Sequence, residues 1–233
     1  MLKLKAIHND AFTSTELLIT ITVIGILTSL AVPAYTGMAQ VQEAQMKGVN
    51  NCKQIIMSLK MFSADYNSQY SDAVQNPLTG AMAQSANDAF RFLIQEQIVT
   101  SERIFGCPMG YNPDNSIGQA PSYSNALMPG ENHWSMTAGQ KDTTVGNMPL
   151  VFENPATTDW PPRWNADVAG QIQPGRTWPG GQIIIGLNDG SVAVETLAGT
   201  TGKVGPKILS DGNDMFTQAS KGVPMRVLPI VTK

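Results

Sequence analysis

An uncharged apolar segment near the N-terminus constrains this chain more than any other feature of its sequence. From Leu17 to Tyr35, nineteen residues pass without a charged side chain, and Lys3 and Lys5 precede the segment. At about 1.5 Å per residue, a helix of this length covers most of a hydrocarbon core of roughly 30 Å. The segment therefore predicts a membrane-spanning helix, with the N-terminus in the cytoplasm and the remaining chain outside.

A conventional secretory signal peptide is the alternative interpretation of this segment, with removal near Gly37 and Ala39. Three features argue against it. The apolar run exceeds the roughly 7 to 15 residues of a signal-peptide core, and Pro33 interrupts its far end. Glu16 lies at the edge of the run, where a carboxylate is costly in lipid and is normally kept for a function.

The same residues resemble the N-terminal signature of type IV pilins and of type II secretion pseudopilins. The resemblance is carried by Ala11 followed by FTSTELLITITVIGILTSLAVPAY. It implies that a prepilin peptidase removes the leader, residues 1–11, between Ala11 and Phe12, and that the new amine of Phe12 is N-methylated. The family's glutamate at the fifth mature position matches Glu16, and its proline at the twenty-second matches Pro33. The family nearly always has Gly before the cleaved bond, where this chain has Ala11.

The resemblance implies a structural subunit of a filament, either a type IV pilus or a type II secretion pseudopilus, and no enzymatic activity. Its implied location is the inner membrane, single-pass, with a cytoplasmic N-terminus, a periplasmic head and a periplasmic or extracellular filament. The implied partners are other pilins, a prepilin peptidase, inner-membrane lipid, and an inner-membrane assembly platform with a cytoplasmic ATPase.

Glu16 and Pro33 are the residues expected to matter for assembly. Cleavage before Phe12 would place a positive amine four residues before Glu16. In a filament, the amine of one subunit could neutralise Glu16 of its neighbour, and a wrong register would leave a buried charge unpaired. The alternative is that Glu16 only reaches the membrane interface and has no partner.

The remaining sequence predicts a helix followed by a globular head. Apolar residues at helical spacing extend the N-terminal helix through residues 36–66, and most Gly and Pro residues fall in the head, residues 67–233. In the head, Ser85 and Asp88 predict the start of a helix over 86–97. Strands are expected near 147–153 and on either side of the turn at Asp189 and Gly190. The expected fold class is α+β and pilin-like. In it, a long N-terminal helix, with residues 12–35 in the membrane and 36–66 on the head, packs on a short helix and an antiparallel sheet.

Four stretches of the head are similar to pseudopilin-like proteins of planctomycetes and verrucomicrobia. Many members of that group have a histidine nine residues before an Asp-Gly turn, where this chain has Pro179. The stretches are NCKQIIMSLKMFSADYN, SANDAFRFL, RIFGCP and GENHW.

The head offers few groups for catalysis or metal binding. His133 is its only histidine, which argues against a zinc site or a Ser-His-Asp triad. Asp211, Asn213 and Asp214 form a weak calcium candidate, with a solvated turn as the alternative, and no other cofactor is expected. The net charge of −3 and the lack of a basic run argue against nucleic acid as the main partner.

Two further hypotheses concern the head. Cys52 and Cys107 are a candidate disulfide that would join helix to head, and two separately buried thiols are the alternative. The second class of function is a membrane-tethered or secreted protein that binds an envelope ligand such as carbohydrate. A mature N-terminus at Phe12 favours the pilin hypothesis, and one near Gln40 favours the binding protein. In the binding-protein hypothesis, the candidate ligand contacts are Trp134, Trp160, Trp164 and Trp178.

Overall fold

The computed structural model describes residues 13–232, without the side chains of residues 29–36. The chain divides into two compact units, the first ending at Glu43 and the second beginning at Ala44. Helix α1 (Ser14–Asp65) contributes residues to both units. The predicted cleavage residues Ala11 and Phe12 lie outside the described part of the chain. Pro33 falls in the segment whose side chains are not described.

The expected long apolar helix with a transmembrane first half requires correction. Among the described residues, no helix combines the length and the apolar character needed to cross a membrane. From residue 37 to residue 65 the helix is not apolar enough, because Lys, Glu, Gln and Asn recur along it. The predicted single-pass location in the inner membrane is contradicted by the same finding.

The second unit is an α+β fold around a five-stranded antiparallel sheet. The strand order is β5-β4-β2-β1-β7, and a separate two-stranded ladder pairs β3 with β6. The strands are β1 (Trp134–Thr137), β2 (Pro149–Glu153), β3 (Trp164–Asn165), β4 (Gln182–Leu187), β5 (Val192–Thr196), β6 (Lys203–Val204) and β7 (Val227–Leu228). The other helices are α2 (Ala86–Gln95), α3 (Met215–Ala219) and the 3-10 turns Glu102–Phe105 and Ala166–Val168.

Local sequence rules account for several of these boundaries. The Ser85 hydroxyl accepts from the Asp88 N–H, and the Asp88 carboxylate accepts from the Ser85 N–H, so the predicted capping box at the start of α2 is confirmed. The β4–β5 hairpin turns at the predicted Asp189 and Gly190, and Gly190 has a φ of +91° that a residue with a Cβ rarely adopts.

Both faces of the sheet are buried at β1, β2 and β4, whereas the edge strand β5 is partly exposed. Successive side chains of a strand point to opposite faces, so Phe152, Ile183 and Ile185 pack in one cluster with Trp164 and Phe216. The other face receives the C-terminal half of α1. An added Cβ at Gly186 of β4 would lie 2.3 Å from Ile56 Cδ1 and 2.8 Å from Cys52 Sγ, so these side chains of α1 would have to shift. Gly186 therefore lets α1 approach the sheet closely.

Candidate functional site

Glu16 lies in the first turn of helix α1 and forms hydrogen bonds with Thr13, the residue before the helix. Glu16 Oε2 accepts hydrogen bonds from the backbone N–H and the hydroxyl of Thr13, at 2.9 and 2.8 Å. The N–H of Glu16 donates to Thr13 Oγ1 at 3.2 Å, which completes a capping box. These hydrogen bonds from Thr13 lower the pKa of Glu16. The T-x-x-E spacing was a signal in the sequence that could have identified Thr13.

The helix after Glu16 has large apolar side chains on all of its sides. Eight of them, between residues 17 and 27, are 48 to 62% exposed. At 100° per residue, these positions are distributed around the whole circumference, whereas a surface helix of a globular domain has one apolar face. Exposed apolar surfaces of this kind are typical of sites that interact with other proteins or with a membrane. The eight are Leu17, Leu18, Ile19, Ile21, Val23, Ile24, Ile26 and Leu27.

A buried ionic cluster forms the chemical centre of the second unit. Glu153 ends β2 on the face that packs against α1, and its side chain is fully buried. Oε1 accepts from His133 Nε2 at 2.9 Å, from Arg176 Nη2 at 3.1 Å and from Trp178 Nε1 at 3.0 Å. Oε2 accepts from Trp178 Nε1 and from the Ile184 N–H, both at 2.9 Å. Five short contacts thus satisfy both oxygens of one carboxylate.

His133 is neutral in this cluster. Its Nε2 donates to Glu153, and its Nδ1 lies 3.4 Å from the Tyr111 N–H and 3.3 Å from Asn154 Nδ2, both of which are donors. This arrangement fixes the tautomer with the proton on Nε2. Burial lowers the pKa of His133, outweighing the opposite effect of Glu153. Arg176 therefore carries the positive charge that balances Glu153.

The cluster contains three residue types that bind metals, but its geometry does not fit a metal. Ligand atoms of Cys107, His133 and Glu153 lie within 4.8 Å of one another. Arg176 Nη2 already contacts this group, at 3.4 Å from Cys107 Sγ and 3.1 Å from Glu153 Oε1. Burial and the Glu153 charge raise the pKa of the Cys107 thiol, which disfavours the thiolate that a metal requires. The guanidinium supplies the cation of this cluster.

Two residues of the calcium candidate, Asp211 and Asp214, accept hydrogen bonds from nearby residues. These local contacts account for the acidic side chains without a metal ion. Asp214 caps α3 by accepting from the N–H groups of Phe216 and Thr217, at 2.8 and 3.0 Å. Asp211 accepts from the Asn213 N–H at 3.1 Å and from Gln218 Nε2 at 3.0 Å. The carboxylates thus stabilise the turn that leads into α3, and the calcium hypothesis stays a weak prediction.

Cys52 and Cys107 are both free, buried thiols in this structure. The Cys52 thiol donates to the Val151 carbonyl at 3.6 Å, and burial raises its pKa well above the ordinary value. The structure thus corresponds to the alternative of two buried thiols, and the disulfide stays a prediction.

The tryptophans belong to the core. Trp134, Trp164 and Trp178 are fully buried, and each indole N–H has a hydrogen-bond acceptor. Trp160 is half-buried, with its ring centroid 5.2 Å from that of Phe216. These side chains do not offer the exposed stacking surface expected of the alternative binding protein.

Comparison with models of known protein families, with characterised proteins and with solved structures gives no match for this chain. The charged side chains of the Glu153 cluster are buried, and their hydrogen bonds join the segment before β1, strands β2 and β4, and the loops that contain Cys107 and Arg176. The apolar side chains of residues 17–27 are exposed in the part of the chain that the structure describes.

Proposed function

We propose that this protein is a structural, pseudopilin-like subunit that assembles into a filament through residues 17–27 of α1, and that it has no enzymatic activity. The observation that supports this proposal is the apolar surface around the whole helix, which one neighbouring chain cannot cover. Several copies packed side by side would cover it, as in a helical filament.

The proposal includes processing of the N-terminus. A prepilin peptidase cleaves between Ala11 and Phe12, and the new amine of Phe12 is N-methylated. Intact-mass and N-terminal peptide mass spectrometry of the native protein test this step. A mature chain that begins at Phe12 with one added methyl group supports the proposal. A chain that retains residues 1–11, or that begins near Gln40, contradicts it and favours the secreted binding protein.

Assembly is tested by matched substitutions of exposed apolar residues. Ile24 of α1 and Ile172 of the head are 53% and 64% exposed. We expect Ile24→Asn to abolish the filaments seen by negative-stain electron microscopy, because it places an amide in the packed helices. Ile172→Asn should leave them unchanged. Equal filament yield from both variants would show that this helix is not the assembly surface.

Glu16 is proposed to pair with the terminal amine of a neighbouring subunit, and its capping box allows a specific test. Thr13→Ala removes the cap and keeps the carboxylate, whereas Glu16→Gln keeps an acceptor for Thr13 and removes the charge. If the charge sets the register, Thr13→Ala subunits assemble. Glu16→Ala subunits then fail, because an unpaired buried charge costs about 3 to 5 kcal/mol. Glu16→Gln is expected to be intermediate. Equal defects in Thr13→Ala and Glu16→Ala would assign Glu16 to helix capping alone.

A further inference from the structure

Three acidic side chains from separate segments of the head converge in a group that shares no residue with the Glu153 cluster. A carboxylate oxygen of each of Glu102, Asp114 and Glu131 lies within 4.8 Å of those of the other two. Glu102 begins the 3-10 turn Glu102–Phe105, Asp114 lies in the loop after it, and Glu131 lies in the segment before β1. Because the three residues are distant in the sequence, no local motif identifies them as a group.

Backbone N–H groups hold one oxygen of each carboxylate. Asp114 Oδ1 and Glu131 Oε2 each accept such a hydrogen bond at 2.7 Å, and Glu102 accepts one through Oε1. These hydrogen bonds fix the orientation of the three carboxylates. The donors, in the order Glu102, Asp114 and Glu131, are Leu127, Ser116 and Met128.

Glu102 is the buried member of the group, and its second oxygen is unsatisfied. The residue is 0% exposed, and Oε2 has no hydrogen-bond partner in the part of the chain that the structure describes. Burial raises the pKa of Glu102, and so do the charges of Glu131 and Asp114. The N–H groups of Leu127 and Asn115 have the opposite effect on this pKa. A buried carboxylate oxygen that faces like charges and lacks a donor is unfavourable unless a cation neutralises it.

No protein cation performs this role among the described residues. The ion pairs formed there by Lys, Arg and His side chains involve Asp142, Asp88 and Glu153, and none of the three converging carboxylates. This distinguishes the group from the Glu153 cluster, where Arg176 supplies the positive charge.

The spacing of the oxygens matches a calcium ion. Ca²⁺ binds oxygen at about 2.3 to 2.6 Å, so two oxygens on opposite sides of the ion are about 4.6 to 5.2 Å apart, and other pairs are closer. Water approaches an oxygen only to about 2.7 to 2.8 Å, so an ion can lie among oxygens that water does not reach. Asp114 is exposed and Glu131 is partly exposed, which gives the ion a route from solvent.

We propose that Glu102, Asp114 and Glu131 bind one Ca²⁺ ion. The ion neutralises the three like charges, is a partner for Glu102 Oε2 and links the three segments of the head. Water molecules on the exposed side of Asp114 complete the six to eight oxygen ligands that Ca²⁺ prefers, roughly as in other protein sites. This site is independent of filament assembly.

Isothermal titration calorimetry of the full chain with calcium chloride tests the proposal. The protein is first treated with EDTA and exchanged into metal-free buffer at pH 8.0. We expect one saturable site with a Kd of about 10⁻⁵ to 10⁻³ M, and at least tenfold weaker binding of Mg²⁺, which requires shorter contacts of about 2.0 to 2.1 Å. Absence of saturable Ca²⁺ binding up to about 10 mM overturns the proposal, as does binding of Mg²⁺ as tight as that of Ca²⁺.

Variants assign the binding to this group. Asp114→Asn alters an exposed side chain and should weaken Ca²⁺ binding at least tenfold, with an unchanged thermal melting curve in EDTA. Glu131→Gln should weaken it similarly. The matched controls are Asp159→Asn, an exposed carboxylate elsewhere, and Asp211→Asn, in the other calcium candidate; both should bind Ca²⁺ as wild type does. If Asp114→Asn binds Ca²⁺ as tightly as wild type, or if Asp211→Asn abolishes binding, the ion is held elsewhere and the proposal is wrong.

Discussion

Replacing Glu153 by Gln tests whether the buried ionic cluster holds the head together. The substitution keeps the shape of the side chain and removes the negative charge. Arg176, whose side chain is 1% exposed, then stays positively charged in the interior. Its Nε and Nη1 already have no hydrogen-bond partner among the described residues, so no other acceptor compensates for the lost carboxylate. The amide also directs an NH2 group toward donors that Glu153 now satisfies.

The expected loss follows from these contacts. Breaking one side of a buried ion pair is destabilising by about 3 to 5 kcal/mol, a large part of the roughly 5 to 15 kcal/mol that stabilises a typical domain. For a domain of this size, 1 kcal/mol corresponds to a change of about 2 to 4 °C in melting temperature, so a decrease of roughly 6 to 20 °C is expected. Urea denaturation followed by fluorescence of the buried tryptophans measures the free energy of unfolding.

Two further variants make the measurement decisive. Glu195→Gln alters a partly exposed strand glutamate and should change the free energy of unfolding by less than about 0.5 kcal/mol. The double variant Glu153→Gln/Arg176→Met removes both members of the ion pair and should be less destabilised than Glu153→Gln alone. A loss below about 1 kcal/mol for Glu153→Gln, or a double variant at least as destabilised as Glu153→Gln, would refute the proposed ion pair.

Three other predictions concern the same interior. Gly186→Ala should lower the free energy of unfolding by about 1 to 3 kcal/mol in urea denaturation, because the new Cβ would overlap side chains of α1. Gly205→Ala serves as the control, because a Cβ at Gly205 would have open space around it. Burial lowers the pKa of His133 below its ordinary 6.5, so the stability that neutral His133 contributes is complete above pH 6.5 and is lost as the pH falls through the folded-state pKa. The free energy of unfolding should therefore differ less between pH 7.0 and pH 5.5 in His133→Gln than in the wild type. Because burial raises the pKa values of Cys52 and Cys107, we expect iodoacetamide at pH 8 to modify neither thiol in the native protein. After unfolding without reductant, both thiols should be modified. If mass spectrometry then finds neither thiol modified, a disulfide is indicated.

Features set by neighbouring residues could be predicted from the sequence. The Ser85 cap and the turn at Asp189 and Gly190 depend on side chains within a few positions, and both have the expected geometry. The T-x-x-E pair at Thr13 and Glu16 obeys the same local rule, although the sequence analysis interpreted Glu16 through its charge alone. In each of these cases, one short segment contains the information that fixes the structure.

Features that depend on distant residues could not be predicted. An acidic residue at the end of PLVFE is typical of a solvated strand end, and only the spatial proximity of Arg176 and Trp178 explains why Glu153 is buried. The apolar run after Leu17 suggested a span across lipid, because hydropathy alone does not distinguish a lipid environment from the interior of a protein assembly. That prediction is contradicted for the described residues.

The Glu153 cluster also has a consequence for folding during synthesis. Residues of α1 such as Ile56 leave the ribosome long before β4, and the Ile184 N–H that binds Glu153 follows that residue 31 positions later. Synthesis adds about 5 to 20 residues per second, so the apolar face of α1 stays uncovered until the sheet has been made. Until Arg176 and Ile184 are made, Glu153 has no counter-charge and cannot be buried at low free-energy cost. The nascent head is therefore expected to complete its core only after Arg176 and β4 have been synthesised.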